Sequence, residues 1–238
     1  MSFLSLSQIR EHPIRFLLKV LCVSLVCYQL WLFAHVVWYR THAPSRTAFM
    51  AARLELLQEK RPDARLQYRW VDYANISPQI KRAVVAAEDS RFTEHHGFDW
   101  DGMQAALDKN IKKGKVVAGG STISQQLAKN LFLSSSRNPL RKIEEAIITV
   151  MLETCMSKRR ILELYLNVIE WGEQEFGVEA AARYYYRTSA KALSASQSAR
   201  LAAMIPNPRF YQRKPAAKSL GRKTATYLGR MDEVRIPR

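Results

Sequence analysis

Glu88 is the first residue whose position suggests acid–base chemistry. It shares a predicted helical face with three apolar residues, Ile80, Val84 and Ala87. A carboxylate on a core-facing stripe is disfavoured as an ion, and such burial tunes a glutamate toward proton transfer. The alternative is a structural glutamate at a helix end that pairs with an arginine such as Arg91. The pattern alone leaves both interpretations open.

A second group of residues could bind an anion. The segment from Ser121 to Asn130 predicts a helix whose polar face carries Thr122, Gln126 and Lys129. Because it follows two glycines, its free N–H groups and its dipole could receive an anion. It is not a Walker A loop, because no glycine-lysine-serine/threonine run is present. An ordinary capped amphipathic helix explains the same pattern locally.

Arg141 and Glu145 lie one turn apart on a further predicted helix. Arginine before glutamate is the weaker orientation for a helical ion pair, so local stabilisation explains this pair poorly. With Lys129, Arg137 and Lys142, the arginine could collect phosphate oxygens. A solvated basic face is the alternative.

Histidine and cysteine spacing gives no protein-bound metal pattern. His95 and His96 are adjacent rather than four residues apart, so a helical zinc pair is not predicted. Cys22 and Cys27 lie in an apolar run and Cys155 is isolated, so no disulfide framework is predicted either.

Cap and stop signals predict the helices that carry these residues. The predicted helices run from Pro78 to Gly97, from Asp99 to about Gly114, from Ser121, from Pro139 to about Met156, from Ser157 to about Asn167, and from a Ser194–Gln197 capping box to just before Pro206. Strand signals are few and short, so the fold is predicted to be mainly α.

An apolar run precedes these helices. Val20 to Trp38 contains no formal charge over 19 residues, and a helix of that length roughly matches a ~30 Å hydrocarbon core. Basic residues on its two sides are nearly balanced, which leaves its orientation open. We predict an N-terminus at 1–15, a transmembrane anchor at 16–39, a catalytic domain at 40–215 and a basic tail at 216–238. All candidate residues follow the anchor, so we predict that the catalytic domain folds and works without it. The alternative is that the apolar run packs against the domain as part of its fold.

Most of the net charge of +16 belongs to the region after the anchor, which carries 34 of the 37 basic and 20 of the 21 acidic side chains and so a net charge of +14. Such a surplus attracts nucleic acid, anionic lipid headgroups or phosphorylated substrates. Simple solubility explains the charge equally well.

Four segments in order resemble the motifs of the peptidoglycan glycosyltransferases, glycosyltransferase family 51. These segments are Glu88–Gly97 (EDSRFTEHHG), Gly119–Asn130 (GGSTISQQLAKN), Arg141–Ala146 (RKIEEA) and Lys158–Asn167 (KRRILELYLN), and Met204–Pro208 with Tyr211 and Pro215 resembles the closing segment. The resemblance implies a lysozyme-like helical catalytic domain behind one transmembrane helix, with a membrane-dipping part near the second motif.

The resemblance also implies an activity, the polymerisation of lipid II into glycan strands with inversion at the MurNAc anomeric carbon. Glu88 matches the general base and Glu145 the second essential glutamate. Lys129 and Arg137 match cations that stabilise the diphosphate, with a divalent ion (Mg or Mn) as a possible helper. Positions that shape or line the substrate site match Asp89, Phe92, His95, Thr122, Gln126, Asn130 and Arg141.

The implied setting is a bacterial inner membrane, with a cytoplasmic N-terminus and a periplasmic catalytic domain. The implied partners are lipid II, the growing strand, membrane lipid and cell-wall synthesis or division proteins, without nucleic acid. The chain has no Ser-x-x-Lys or Lys-Thr-Gly sequence, which predicts a monofunctional enzyme without a penicillin-reactive serine.

Two other functions compete with this interpretation. A lysozyme-like hydrolase or lytic transglycosylase would share the fold and a catalytic glutamate, but it would not need an anchor beside a phosphate site. A non-enzymatic basic protein that binds anionic lipid or nucleic acid would explain the charge but not a core-facing Glu88.

Overall fold

The structure is a computed structural model that describes residues 13–115, 119–133 and 138–238. Its first element is α1, Pro13–Tyr39, in which an 18-residue window reaches a mean hydropathy of 2.0 and is only 11% buried. By length and composition α1 can cross a membrane, as the apolar run predicted. We therefore describe it as a single-pass membrane anchor.

The second half of α1 packs against the rest of the chain. Leu32 and Val36 are fully buried, and the ring of Tyr39 lies 5.9 Å from that of Phe132. Arg160 fixes the end of the helix, because its Nε donates to the carbonyl of Tyr39 at 2.9 Å. The end of the anchor therefore packs against the domain, and the separability of the two stays a prediction.

The remainder is mainly helical, as predicted. Its helices are α2 Ala48–Gln58, α3 Pro78–Glu88, α4 Trp100–Lys113, α5 Ile123–Phe132, α6 Pro139–Cys155, α7 Lys158–Val168, α8 Val178–Tyr186, α9 Ala195–Met204, α10 Pro208–Arg213 and α11 Lys218–Arg230, with 3-10 turns at Tyr73–Asn75 and Ala190–Ala192. Strands β1 (Gln67–Tyr68) and β2 (Glu175–Phe176) form a short parallel pair. Helices α5, α6 and α7 pack together on one side of the core, and α3, α9 and α11 on the other.

Helix α3 starts where the sequence predicted but ends nine residues early. The hydroxyl of Ser77 accepts from the N–H of Gln79 and Pro78 opens the helix, whereas Asp89 leaves helical geometry. The chain then turns, and Gly97 takes a φ of 91° beside α6. A Cβ at Gly97 would stand 2.7 Å from Cγ2 of Thr149. Gly97 thus closes a turn rather than a helix, and Glu88 lies at a helix end.

Helix α5 begins one residue later than predicted, because Thr122 rather than Ser121 is its cap. The Thr122 hydroxyl accepts from the N–H of Gln125, and the Gln125 side chain accepts from the N–H of Thr122. This reciprocal pair is a capping box. The predicted Ser194–Gln197 box is confirmed at the start of α9.

The segment predicted as a basic tail is instead a packed helix. Helix α11 lies against α9 and α3. Leu220 in its first turn and Met231 just after its last residue are both buried. These apolar residues recur at helical spacing, but the many lysines and arginines between them masked the pattern. The folded domain therefore extends beyond residue 215.

Candidate active site

Glu88 ends α3 as a half-buried carboxylate. Burial raises its pKa above the usual glutamate value, against the opposing effects of a hydrogen bond from Gln126 and the charges of Lys223 and Lys129. Arg91 does not pair with it, since that guanidinium binds carboxylates of the following turns instead. The alternative of a structural Glu88–Arg91 pair is therefore excluded. A carboxylate with a raised pKa, and with one oxygen that has no hydrogen-bond partner among the described residues, is suited to accept a proton.

Gln126 connects Glu88 to the core. Its Nε2 donates to Oε2 of Glu88 at 2.8 Å, and its Oε1 accepts from the Tyr165 hydroxyl at 2.8 Å. Tyr165 is fully buried, and burial raises its pKa well above the usual tyrosine value. Because the phenol stays protonated, it holds the amide in the orientation that presents N–H groups to Glu88.

Asp89 joins the turn after α3 to the start of α5. Its Oδ1 is 2.9 Å from Nε2 of His95, and its Oδ2 accepts from the N–H of Ile123 at 3.0 Å. Together with the capping box, this carboxylate occupies the first N–H groups of α5. The prediction that this helix N-terminus receives a substrate anion is therefore wrong, because an internal carboxylate already satisfies it.

Other predicted site residues support the site from within the fold. Phe92 is fully buried beneath the ammonium of Lys158, which lies 4.6 Å from its ring centroid. Thr122 donates to the carbonyl of Gly97 at 2.7 Å, and Asn130 donates to the backbone of Gln126 at 2.8 Å. The geometry gives these side chains a positioning role, and their contact with substrate stays a prediction.

A second cluster gathers around Glu145 of α6. Glu145 is buried, and its two oxygens accept from Arg141 at 2.9 Å and from Lys142. Arg141 Nε is also buried and has no hydrogen-bond partner within the described residues. Burial lowers the pKa of Lys129, with Arg141 and Lys142 adding to the effect while Glu145 and Glu88 oppose it. The charges of both glutamates therefore act on Lys129.

Two predictions about this cluster, the role of Arg137 and the divalent ion, stay predictions. Arg137 lies outside the described residues, so its predicted role stays a prediction. Among the residues that the structure describes, no group of three or more His, Cys, Asp or Glu side chains could hold a metal ion.

A cavity of about 230 Å³ opens beside Glu88. The end of α3, the start of α4 and the Gly119–Thr122 loop form its walls, and Arg230 reaches it from α11. No motif in the sequence points to Arg230. Its only signal was the spacing of Lys223, Tyr227 and Arg230, which places three side chains on one helical face.

Comparison with known proteins gives a consistent result. A protein-family model described as Transglycosylase matches residues 55–232. The chain is 57% identical over 221 residues to a protein of Chromobacterium violaceum named biosynthetic peptidoglycan transglycosylase, covering 93% of this chain and 97% of the relative. Proteins with the same name in Methylobacillus flagellatus and Laribacter hongkongensis are both 60% identical, over 90% and 88% of this chain and 94% and 92% of their own lengths.

Proposed function

The chain belongs to the transglycosylase family, and on that premise we propose how it polymerises lipid II into peptidoglycan glycan strands. Glu88 removes the proton from the 4-hydroxyl of the acceptor GlcNAc. The freed oxygen attacks C1 of the donor MurNAc, the C1–O bond to the undecaprenyl diphosphate breaks, and the α link becomes β. The proton ends on Glu88 and the electron pair on the departing diphosphate.

The placement of Glu88 carries this proposal, because the carboxylate ends α3 at the wall of the cavity and is held there by Gln126. A general base works best when its pKa approaches the working pH, and burial moves this carboxylate in that direction. Gln126 keeps one oxygen in place at 2.8 Å. The other oxygen remains available for the acceptor hydroxyl.

The cluster around Glu145 supports the departure of the diphosphate. Lys129, with the unpartnered Nε of Arg141, supplies positive charge at a site where water is largely excluded. Positive charge that is already held near a leaving anion lowers the activation free energy of such reactions substantially. Because Arg141 and Lys142 occupy both oxygens of Glu145, we assign Glu145 the task of holding these cations in place.

The membrane anchor fits a substrate that carries a polyprenyl chain. Helix α4 also exposes Trp100, Leu107 and Ile111, and it forms one wall of the Glu88 cavity. Exposed apolar residues in a chain that also carries a membrane anchor favour contact with lipid. We propose that the domain lies on the periplasmic face of the inner membrane with the N-terminus in the cytoplasm. Association with cell-wall synthesis or division proteins stays a prediction.

The competing functions fit less well. A hydrolase that cuts finished glycan needs no buried cations beside its glutamate, yet Lys129 and Arg141 stand next to Glu145. A non-enzymatic basic protein gains nothing from a carboxylate whose pKa is raised by burial. The cation cluster around Glu145 and the half-buried carboxylate of Glu88 occur in one site, which favours transfer from a diphosphate.

A divalent cation would not be held by the described residues alone. Glu145 is already neutralised by its neighbours, and no metal-binding group is formed in the parts of the chain that the structure describes. We assign no step to a metal. Polymerisation assays with and without a chelator test whether a cation arrives with the diphosphate.

The substitution Glu88→Gln tests the assignment of the base. The variant keeps size and hydrogen bonding but loses the proton acceptor, so we expect turnover of lipid II to fall by about 10²–10⁴-fold. Its thermal unfolding should match that of the wild type. Glu94→Gln is the matched control, because Glu94 is exposed and pairs only with Arg91. Near-normal polymer from a folded Glu88→Gln protein would refute the assignment.

A further inference from the structure

Helix α11 places a second set of cations beside Glu88. Lys223 and Arg230 lie on one face of the helix, separated by Tyr227. Arg230 lines the same cavity as Glu88. Lys223 is half-buried, with its ammonium 5.6 Å from the ring centroid of Tyr211. Neither cation forms an ion pair with a carboxylate among the described residues, so both charges remain available.

The charges on this face of α11 and on Glu88 act on each other. The positive charge of Lys223 opposes the rise in the pKa of Glu88, more strongly than that of Lys129 does. The negative charge of Glu88 in turn raises the pKa of Tyr227. Two cation sets therefore act at this site, Lys129 with Arg141 and Lys142 on α5 and α6, and Lys223 with Arg230 on α11.

The reaction brings two diphosphates to one site, and this part of the argument rests on the proposed function. The donor loses its diphosphate, whereas the acceptor keeps its own while its sugar hydroxyl reacts. The first cation set has an internal counter-ion in Glu145, and it stands beside the leaving group. A second bound diphosphate needs separate positive charge, because two such anions in one site repel each other.

The cavity beside Arg230 has the surroundings that an acceptor lipid requires. Gly102 and Met103 of α4 form part of its wall, and the same helix exposes large apolar side chains such as Trp100. A Cβ at Gly120 would lie 3.2 Å from the Met103 backbone, so this glycine keeps the wall and the loop close together. A polar pocket for sugar, a free guanidinium and an apolar helix thus adjoin one another.

We propose that α11 forms the acceptor half of the catalytic cleft, with Arg230 binding the diphosphate of the acceptor substrate and Lys223 supporting it. Arginine suits this task because its planar fork matches phosphate oxygens. The helix is therefore a substrate-binding element, although the motifs that carry the chemistry precede it in the chain. Arg230 sets affinity for the acceptor, and the proton transfer remains with Glu88.

A single coupling reaction separates the two substrates. The donor is lipid II with its GlcNAc 4-hydroxyl capped, which can only donate. The acceptor is a lipid II analogue in which a methylene group replaces the anomeric oxygen, which keeps the diphosphate charge but can only accept. KM and kcat are then measured for each partner in the wild type and in Arg230→Ala, Arg230→Lys and Lys129→Ala.

We expect Arg230→Ala to raise KM for the acceptor about tenfold, the size of one charge-assisted hydrogen bond, with donor KM unchanged. Arg230→Lys should recover part of the loss. Arg222→Ala is the matched control, because Arg222 is an exposed arginine of the same helix that lies away from the cavity. It should behave as the wild type. Lys129→Ala should act on the donor instead.

Several outcomes would overturn the proposal. Equal losses in Arg230→Ala and Arg222→Ala would mean that only bulk charge matters. Equal effects on donor and acceptor would show that Arg230 does not distinguish them. Amidation of the peptide carboxylates of the acceptor tests another anion: if it abolishes the difference between variant and wild type, Arg230 binds the peptide. If the wild type fails to couple at all, the proposed function itself is wrong, which is a distinct result.

Discussion

The two cation sets around Glu88 differ in burial and in pairing. On α5 and α6, Arg141 and Lys142 share the buried carboxylate of Glu145, and burial lowers the pKa of Lys129. On α11, Arg230 is exposed and carries no carboxylate partner within the described residues. The first set has its counter-ion, Glu145, in place before any substrate binds. Arg230 of the second set lacks a counter-ion among the described residues, and a bound diphosphate would supply one.

This difference corresponds to the two tasks that the site performs. Charge that stabilises a transition state works best when it is fixed in advance in a site with little water. Charge that captures an anion from a membrane surface must remain accessible and unpaired. The donor side should therefore control kcat, and the acceptor side should control KM.

The largest difference between the sets should appear in kcat. Lys129→Ala removes a fixed charge beside the departing diphosphate, so we expect kcat for lipid II polymerisation to fall about 10²–10³-fold. Lys112→Ala is the control, because Lys112 is an exposed cation in the last turn of α4, where water screens it. It should stay within about twofold of the wild type. Equal losses would remove the distinction between a placed charge and a general one.

The pH dependence should sharpen the comparison next. Glu88 is active as the ionised base, so activity is lost as the pH falls through its raised pKa. Lys223 holds that pKa down, so Lys223→Ala should move the acid limb of kcat/KM to higher pH. Arg222→Ala should leave the limb in place. The groups that act on Glu88 are the hydrogen bond of Gln126 and the charges of Lys223, Lys129 and Asp89.

If the acid limb of kcat/KM stays in place in a folded Lys223→Ala variant, α11 does not act on Glu88. A shift to lower pH would contradict the sign of the interaction. Gln126→Ala is a positive control, because loss of its hydrogen bond to Glu88 should also raise the limb.

The smallest expected effect concerns the anchor, which packs against α6 of the donor side. The Tyr28 hydroxyl donates to Oε1 of Glu144, the neighbour of Glu145 on α6. A double-mutant cycle with Tyr28→Phe and Glu144→Gln should give a coupling of about 0.6 kcal/mol in thermal stability in detergent. KM for the acceptor should not change. Zero coupling would mean that α1 and α6 are not joined there.

The sequence predicted the parts of the site that repeat at helical spacing. Glu88 follows an apolar stripe and Lys129 lies on a polar face, so periodicity alone placed both. The resemblance to a family then assigned their roles. The predicted helix starts at Pro78, Asp99 and Pro139 are local signals as well, and they agree with the structure to within one residue.

Other features depend on contacts between distant residues, which no local pattern contains. The hydrogen bond from Tyr165 to Gln126 joins residues 39 positions apart. Asp89 accepts a hydrogen bond from the N–H of Ile123, 34 positions further along the chain. Its carboxylate therefore occupies the predicted anion site at the start of α5. Helix α11 was missed for another reason, since its basic composition hid the apolar positions that pack it.

The most direct test of the account supplies the purified wild-type protein with labelled lipid II and, in a parallel reaction, with finished glycan. If the protein polymerises lipid II, the first reaction gives long β-linked strands and released undecaprenyl diphosphate, and the glycan in the second reaction stays intact. Shortened glycan in the second reaction, with no polymer in the first, would contradict it and identify a hydrolase instead.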